Sequence, residues 1–556
     1  MQNGLVPYPP SDVAHYRSTG LWRTRSLPAD LLEAAETYAE HTALITSEVR
    51  WTYSELFDRA SAFGSGLLRT TGLRAGDPVM FQMGNVAETV VSYLGCLLAG
   101  VRPVCTLAQH GEREVGLLAE HVDAKGLIAQ ADHGRGEALS TARAVSARGV
   151  IGSVILARAA SRDAEGIDAE HVVTFSEVLD AGNHEPLPDP DHDQIVVYQL
   201  SGGTTGLPKV AARLHEEYSY NSRTWATSCG WGPGTTVLYP LPIMHNAGTA
   251  LALQPTLLSG ATIVLATDAR VETVLDLVAS ERPTSMPLVP PALAIRILDD
   301  PHSSDIDWSC VKDFIVGGQY LPVEVAERLR DELGIAVRQM FGMAEGMFLL
   351  TPDGAEEETR FHTVGAPISP ADEVRILEVA GDDPVPEGTI GEFCARGPYT
   401  IRGYYRADRH NESAFTDDGF YRSGDLARAH RRGDEVTYSI EGRIKDVINR
   451  GAEKIHAEEV EEIIVRHPEI RDAAVVAMPD AVLGERACAF LALEDGADPL
   501  DVAHLGAFLQ QEGLAKFKLP ERVEIVESLP LSNVGKVSKK ELREQVAAAL
   551  KVEHTA

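Results

Sequence analysis

The chain has 556 residues, of which 44% are hydrophobic and 24% charged. That composition supports a packed core and excludes disordered, collagen-like and disulfide-scaffold chains. Its 50 basic and 82 acidic residues leave a formal net charge of −32, so the surface repels phosphate-rich polymers and no nucleic-acid partner is expected.

At roughly 150 residues per domain, the length allows three or four structural units. Any anionic ligand must be held by local donors, because the overall field opposes it. Cysteines 96, 105, 229, 310, 394 and 488 are scattered with no CxxC pair. That pattern fits reduced, buried thiols and neither a zinc site nor a disulfide framework. The longest apolar run, 89–101, is thirteen residues, too short to cross a bilayer. The N-terminus is polar with Pro9-Pro10 and does not read as a signal peptide. A soluble cytoplasmic protein without a membrane partner is the expectation.

Residues 1–30 read as an irregular N-terminal arm. From Leu31 onward, helical periodicity alternates with short β-branched runs. Residues 79–82 read as a strand and 88–99 as a buried helix closed by Gly100. Further strands are expected at 151–157, 195–200, 262–265, 286–289 and 314–316, with helices at 271–280 and 322–333 between them. The alternation predicts α/β layers with mainly parallel sheets. The acidic, Pro-rich run 185–193 reads as a surface linker. Between 375 and 405, short runs and Gly/Pro turns predict a smaller β-rich subdomain. Beyond 446, a helix at 458–467 and strands at 473–478 and 487–493 predict a small α+β domain. The expected fold class is thus α/β. A large N-terminal domain, 1–445, carries several subdomains, and a small mobile C-terminal domain covers 446–556.

The sharpest local signal is Ser201-Gly202-Gly203-Thr204-Thr205-Gly206-Leu207-Pro208-Lys209, directly after an expected strand. Glycines let backbone N–H groups approach a ligand, hydroxyls add donors, and Lys209 adds charge; the set suits phosphate oxygens. The spacing is not GxxxxGK[ST], so this is not a Walker loop. Taken alone, the stretch is also open to being a flexible surface turn.

The stretch resembles the phosphate loop of the adenylate-forming superfamily: acyl-CoA synthetases, luciferases and the adenylation domains of nonribosomal peptide synthetases. Other elements follow in family order. Thr52-Tyr53-Ser54-Glu55-Leu56 is similar to TYxEL, and Phe341-Gly342-Met343-Ala344-Glu345 to aromatic-Gly-x-x-Glu. Tyr421-Arg422-Ser423-Gly424-Asp425 is similar to YxTGD, and Gly442-Arg443-Ile444-Lys445-Asp446 to a GRxKD hinge. Residues 449–455 follow the hinge, and 529–536, ending in Lys536, resemble the terminal LPxTxxGK.

The resemblance implies that a carboxylate and ATP give an acyl-adenylate and pyrophosphate, with Mg²⁺ required. Ser201, Gly202, Gly203, Thr204, Thr205, Gly206 and Lys209 would hold the phosphates. Glu345 would hold Mg²⁺. Phe341 would stack on adenine, with Gly317, Gly318, Gln319 and Gly342 lining that pocket; spacing alone leaves Phe341 open to a core role. Asp425, acceptor-only when ionised, would grip the ribose hydroxyls, with Arg443 beside it. Lys536 would place its ammonium between the acid and the α-phosphate, where charge develops in the transition state. Lys445 would be the hinge about which the C-terminal domain turns between adenylation and transfer to a thiol, the second step using the 451–455 side. From 516 to 540 there are six basic and three acidic residues. Such a patch could meet a phosphopantetheine arm or an acidic carrier protein, or be a solvated face.

Leu241-Pro242-Ile243-Met244-His245-Asn246 resembles the PxxHN of the stand-alone aryl acid–AMP ligases, which activate 2,3-dihydroxybenzoate or salicylate for siderophore and related peptide assembly. That resemblance implies that Asn246 bonds an ortho-hydroxyl, a group costly to bury unpaired. His245 would lie near the carboxylate and gate the pocket, which Ala247, Leu251, Met340, Ala344 and Phe348 would shape. Three positions depart from the subgroup. Ala247 replaces the usual aromatic, Leu251 stands where dihydroxybenzoate members carry Ser, and Phe348 is larger than usual. Leu251 offers no hydrogen bond to a 3-hydroxyl, which argues against dihydroxybenzoate. The expected function is ATP-dependent activation of a salicylate-like or heteroaryl acid, then transfer to a carrier protein's phosphopantetheine thiol. The alternatives are an aromatic or aliphatic acyl-CoA synthetase, with CoA as acceptor, or a non-catalytic scaffold relative.

Overall fold

The computed structural model describes residues 4–183, 187–201, 208–379, 381–450, 453–480, 483–512, 514, 516–531 and 537–555. The chain divides into two compact units, Met1–Glu373 with Ala395–Tyr421, and Val374–Cys394 with Arg422–Ala556.

The first unit carries two large sheets. One has nine strands in the order Ala366–Pro367, Phe348–Leu350, Val337–Gly342, Asp313–Gly317, Ser285–Val289, Thr236–Tyr239, Thr262–Leu265, Thr42–Ile45 and Arg50–Thr52. Its central pairings are parallel and its edge pairings antiparallel. The other has seven strands in the order His171–Thr174, Ser153–Ala157, Gly126–Gln130, Pro78–Gln82, Arg102–Val104, Ile195–Ser201 and Lys209–Leu214. It is parallel except for the last pair. The strands are apolar almost throughout, as parallel strands covered on both faces must be.

Helices Tyr53–Thr70 and Ala87–Leu98 lie in the core that both sheets share, with Phe63, Val90 and Leu94 packed among Phe81, Ile155, Val237 and Ile263. Gly64 and Gly95 let these helices touch: a Cβ on Gly95 would stand 2.9 Å from the Ala60 carbonyl oxygen. The Thr52…Glu55 pair is a capping box that starts the first of these helices, so TYSEL has a local folding role. Tyr53 Oη also donates to the Ala261 carbonyl at 2.7 Å.

The second unit has a four-stranded sheet, Glu373–Leu377, Gly391–Arg396, Tyr421–Arg432 and Glu435–Arg443. A five-stranded sheet follows, built on Val447–Arg450, Glu453–His456, Ile470–Asp480, Gly484–Leu493 and Arg522–Val526. Helix Ala457–Ile464 packs Val460 and Ile464 against Val475 and Leu491. Among the described residues, no helix is long and apolar enough to cross a membrane.

Two expectations need correction. The residues before Leu31 are not irregular: Pro10–Ser18 and Leu27–Thr37 are helices. Tyr8, Tyr16 and Trp22 bury their rings together, and Trp22 Nε1 donates to the Pro398 carbonyl at 2.8 Å. Helix Pro10–Ser18 buries little besides Tyr16, so it carries no apolar stripe to betray it. The β-rich portion also does not end at 405. Two of its four strands lie beyond it, where Arg- and Glu-rich alternation masks the period-2 signal. Of the linker 185–193, residues 185 and 186 lie outside the described residues; 187–193 form no helix or strand.

Candidate active site

The segment 241–246 leaves strand Thr236–Tyr239 and is pinned from the side by Asn85. The amide of Asn85 donates to the Leu241 and Ala266 carbonyls, each at 2.9 Å, and accepts from Ile243 N at 2.9 Å. A π-helical turn, Gly248–Leu253, follows and runs into helix Gln254–Ser259. Such turns are rare and frequently mark functional sites. Gly248 is required there, because a Cβ would stand 2.3 Å from the Ile243 carbonyl oxygen.

His245 Nδ1 accepts from Ala247 N at 3.2 Å, which leaves the proton of the neutral ring on Nε2. Asn246 is 6% exposed, and its Oδ1 has no partner. Its backbone carbonyl accepts from Thr249 Oγ1 at 3.1 Å, and Thr249 joins Tyr218 and Gln199 in a buried cluster. Ala247 and Leu251 are buried in the same stretch.

Strands Asp313–Gly317, Val337–Gly342 and Phe348–Leu350 bring Ile315, Met340 and Phe348 into the same buried cluster as Ile243, Ala247 and Leu251. A Cβ on Gly317 would lie 2.6 Å from Met340 Sδ, and one on Gly342 would lie 2.6 Å from the Phe348 ring. These glycines let Met340 and Phe348 close in. Between them, Gly346 and Met347 take φ of 96° and 83°. The left-handed backbone at Met347 is strained for a side chain of its kind. Phe348 N donates to Tyr399 Oη at 3.2 Å, and Tyr399 donates to Asp372 Oδ2 at 2.6 Å. Burial pushes the Asp372 carboxyl up to about 8, against the opposing pull of that Tyr399 bond.

Glu345 is 4% exposed, and its Oε1 accepts from the hydroxyls of both Ser201 and Tyr404. Tyr404 Oη lies 2.8 Å from Tyr421 Oη. Lys209 Nζ lies 2.6 Å from His410 Nε2 and 4.8 Å above the Tyr404 ring. Burial lowers the Lys209 pKa, and the Glu345 charge opposes that shift. Burial also lowers the His410 pKa, and Lys209 adds to the effect. The loop is fixed by Arg213, fully buried against Glu217 at 2.7 Å, which donates to the Ala344 carbonyl at 3.1 Å and the Tyr399 carbonyl at 3.0 Å. Phe341 is half-buried, Gly318 is exposed with φ of 86°, and Gln319 is half-buried.

In the second unit, Asp425 and Arg443 face each other across an antiparallel pair, with Arg443 Nε 2.9 Å from Asp425 Oδ1. Lys445 sits in a single 3₁₀ turn, Ile444–Asp446, and burial lowers its pKa, Arg443 adding to the effect. Among the described residues of the basic stretch 516–540, several cations are paired within the unit. Lys518 pairs with Glu459 at 2.6 Å, Lys539 with Glu461 at 2.8 Å and Arg522 with Glu524 at 2.5 Å. Gly202, Gly203, Thr204, Thr205, Gly206 and Lys536 lie outside the described residues, as do Gly451 and Ala452.

Residues 31–405 match the AMP-binding enzyme family, and 459–536 match the AMP-binding enzyme C-terminal domain. The chain belongs to the AMP-binding enzyme family. It is a ligase of the adenylate-forming class, and its relatives match over nearly full length. A salicylyl-CoA synthase / salicylate adenylyltransferase of a Streptomyces species is 40% identical over 555 residues, 98% of each chain. The 2,3-dihydroxybenzoate-AMP ligase of Bacillus subtilis is 36% identical over 554 residues, 99% of each. Among solved structures, apo MbtA of Mycobacterium smegmatis aligns with a TM-score of 0.71 at 35% identity, covering 98% of this chain and 99% of that one.

For an AMP-binding enzyme, the residues that sequence reasoning missed are mostly those holding the site in place. Asn85, Arg213, Glu217, Tyr399 and Asp372 stand outside every motif quoted above. Tyr404 and His410 lie between motifs. Only contact in three dimensions marks them, although the aromatic pair Tyr404-Tyr405 just after Gly403 was a visible clue.

Proposed function

We propose that the protein uses ATP to activate an ortho-hydroxylated, salicylate-like aryl carboxylic acid, then passes the acyl group to the phosphopantetheine thiol of a carrier protein. The observation that carries this reading is Asn246, buried with an unpaired Oδ1 two residues before the π-helical turn. A buried acceptor without a donor is costly, and an ortho-hydroxyl beside a carboxylate supplies that donor. The naming of full-length relatives after salicylate and 2,3-dihydroxybenzoate agrees with it.

In the first step, a carboxylate oxygen bonds the α-phosphorus as the bond to pyrophosphate breaks. Ser201, Lys209 and residues 202–206 would hold the phosphates. Asp425 and Arg443 serve the ribose, and Phe341 with Gly317, Gly318, Gln319 and Gly342 the adenine. Lys536 supplies the cation where charge builds. His245, with Nδ1 accepting from Ala247 N, would act through Nε2–H near the carboxylate. The 1–445 and 446–556 division, with Lys445 as the joint, is the arrangement by which the second step would follow the first.

Among the described residues there is no cluster of three or more metal-ligating side chains. Glu345 nevertheless fits Mg²⁺, which takes one or two protein carboxylates and completes its shell from phosphate and water. When bound, the ion neutralises phosphate charge. Ser201 and Tyr404 orient the Glu345 carboxylate for it.

A second reading, CoA as the acceptor, is favoured by the double name of the Streptomyces relative. The test is a panel of aryl and aliphatic acids with mass detection of the adenylate, followed by transfer to holo-carrier protein or CoA. Salicylate-type adenylates and carrier loading support the proposal. Adenylates of aliphatic acids alone refute it, and loading of CoA alone moves the acceptor to the second reading.

A further inference from the structure

Helix His215–Ser228 carries another set of unsatisfied groups. Asn221 is 0% exposed, and neither its Oδ1 nor its Nδ2 has a partner. One turn on, Trp225 Nε1 is likewise buried and unpaired. Neighbouring polar side chains on the helix are matched: Tyr220 with Ser369 at 2.7 Å, Ser222 with Gln254 at 2.9 Å, and Ser219 with Asp30. A buried amide with both ends unmet costs stability that evolution seldom leaves uncollected without a reason.

Positions 218, 221, 222 and 225 share one helical face. Tyr218 Oη on that face lies 2.8 Å from Thr249 Oγ1, which itself donates to the Asn246 carbonyl. At the other end, the Trp225 ring packs edge-on to the Phe348 ring, centroids 5.7 Å apart. Asn221 therefore lies along the helix between the Asn246 side and the Phe348 side of the acid pocket.

We infer that Asn221 is a specificity-determining residue that hydrogen-bonds a second polar group on the ring of the acid, in addition to the ortho-hydroxyl met by Asn246. The amide offers an acceptor and a donor, so the group is a hydroxyl, an amino group or a ring nitrogen. Leu251 offers nothing polar on the π-helical turn, so the second group points toward helix His215–Ser228. The inference rests on the proposed aryl acid reading and narrows its substrate class to an acid more polar than salicylate.

The test is ATP–pyrophosphate exchange with benzoate, salicylate, the four 2,x-dihydroxybenzoates, 4-aminosalicylate and 3-hydroxypicolinate, for the wild type, Asn221→Leu and Asn221→Ser. The wild type should prefer one acid with a second polar group over salicylate by on the order of tenfold in kcat/KM, as a site with buried hydrogen-bonding groups does. Asn221→Leu should lower that acid by about tenfold to hundredfold while moving salicylate by no more than about threefold. It should also raise the melting temperature of the ligand-free protein, because an apolar side chain removes the unmet groups. Asn221→Ser should keep part of the preference. The inference is overturned if salicylate is the best acid for the wild type, or if both variants change all acids by one factor. Exchange with no aryl acid at all would instead bring down the proposed function itself.

Discussion

The phosphate side and the acid side of the first unit are both buried and polar, yet their hydrogen bonds are arranged oppositely. On the phosphate side, Glu345, Ser201, Tyr404 and Tyr421 form one connected set, with Lys209 and His410 beside it. On the acid side, Asn246 Oδ1, both ends of Asn221 and Trp225 Nε1 are unpaired. A triphosphate is the same for every member of such a family, so its receiving groups can be oriented in advance by each other. The acid differs from member to member, and on the proposed reading the groups that would meet it are left for the acid to satisfy.

The comparison breaks most visibly on the phosphate side. Lys536→Ala should lower adenylation by about 10²–10³ while transfer from preformed acyl-adenylate is spared. Single-turnover assays of each half-reaction check this, and equal loss in both would remove Lys536 from the first step. Glu345→Gln should cost on the order of 10² in exchange and raise the Mg²⁺ concentration needed for half-maximal rate. An unchanged Mg²⁺ dependence would mean that Glu345 only braces the loop.

Acid-side changes should be smaller and selective. Asn246→Ala should lower kcat/KM for ortho-hydroxylated acids by about tenfold to hundredfold and for benzoate by less than about threefold. A uniform loss would show that it merely shapes the wall. The smallest effect concerns the brace behind Phe348. Asp372 keeps its proton up to about pH 8 when folded, above the ordinary aspartate value. Its contribution to stability is therefore full below that ordinary value and is lost as pH rises through about 8. Between pH 7 and 9 the melting temperature of the wild type should fall, and Asp372→Asn should reduce that fall by about 2 °C or more. Identical pH curves would place the titration elsewhere.

Much of the scaffold was readable in advance, because parallel strands buried on both faces announce themselves as apolar runs. Thr262–Leu265 and Val271–Glu281 fall where periodicity puts them, and Ala87–Leu98 is the buried helix expected before Gly100. Helix Pro10–Ser18 was not readable, since its one buried residue, Tyr16, packs on Tyr8 and Trp22 outside the helix and leaves no apolar stripe. The site shows the same split. Asn246 and Glu345 stand in motifs whose spacing carries chemistry. Asn221 and Arg213 stand in none, and only burial without a partner, or burial with one, singles them out.

The central claim is that the acid side selects an ortho-hydroxylated aromatic ring. The most direct measurement is the ratio of kcat/KM for salicylate to that for benzoate in ATP–pyrophosphate exchange by the unaltered protein. A ratio of about ten or more is predicted, since a buried acceptor left unmet by benzoate costs roughly that factor. A ratio near one, or exchange driven by aliphatic acids alone, would contradict it.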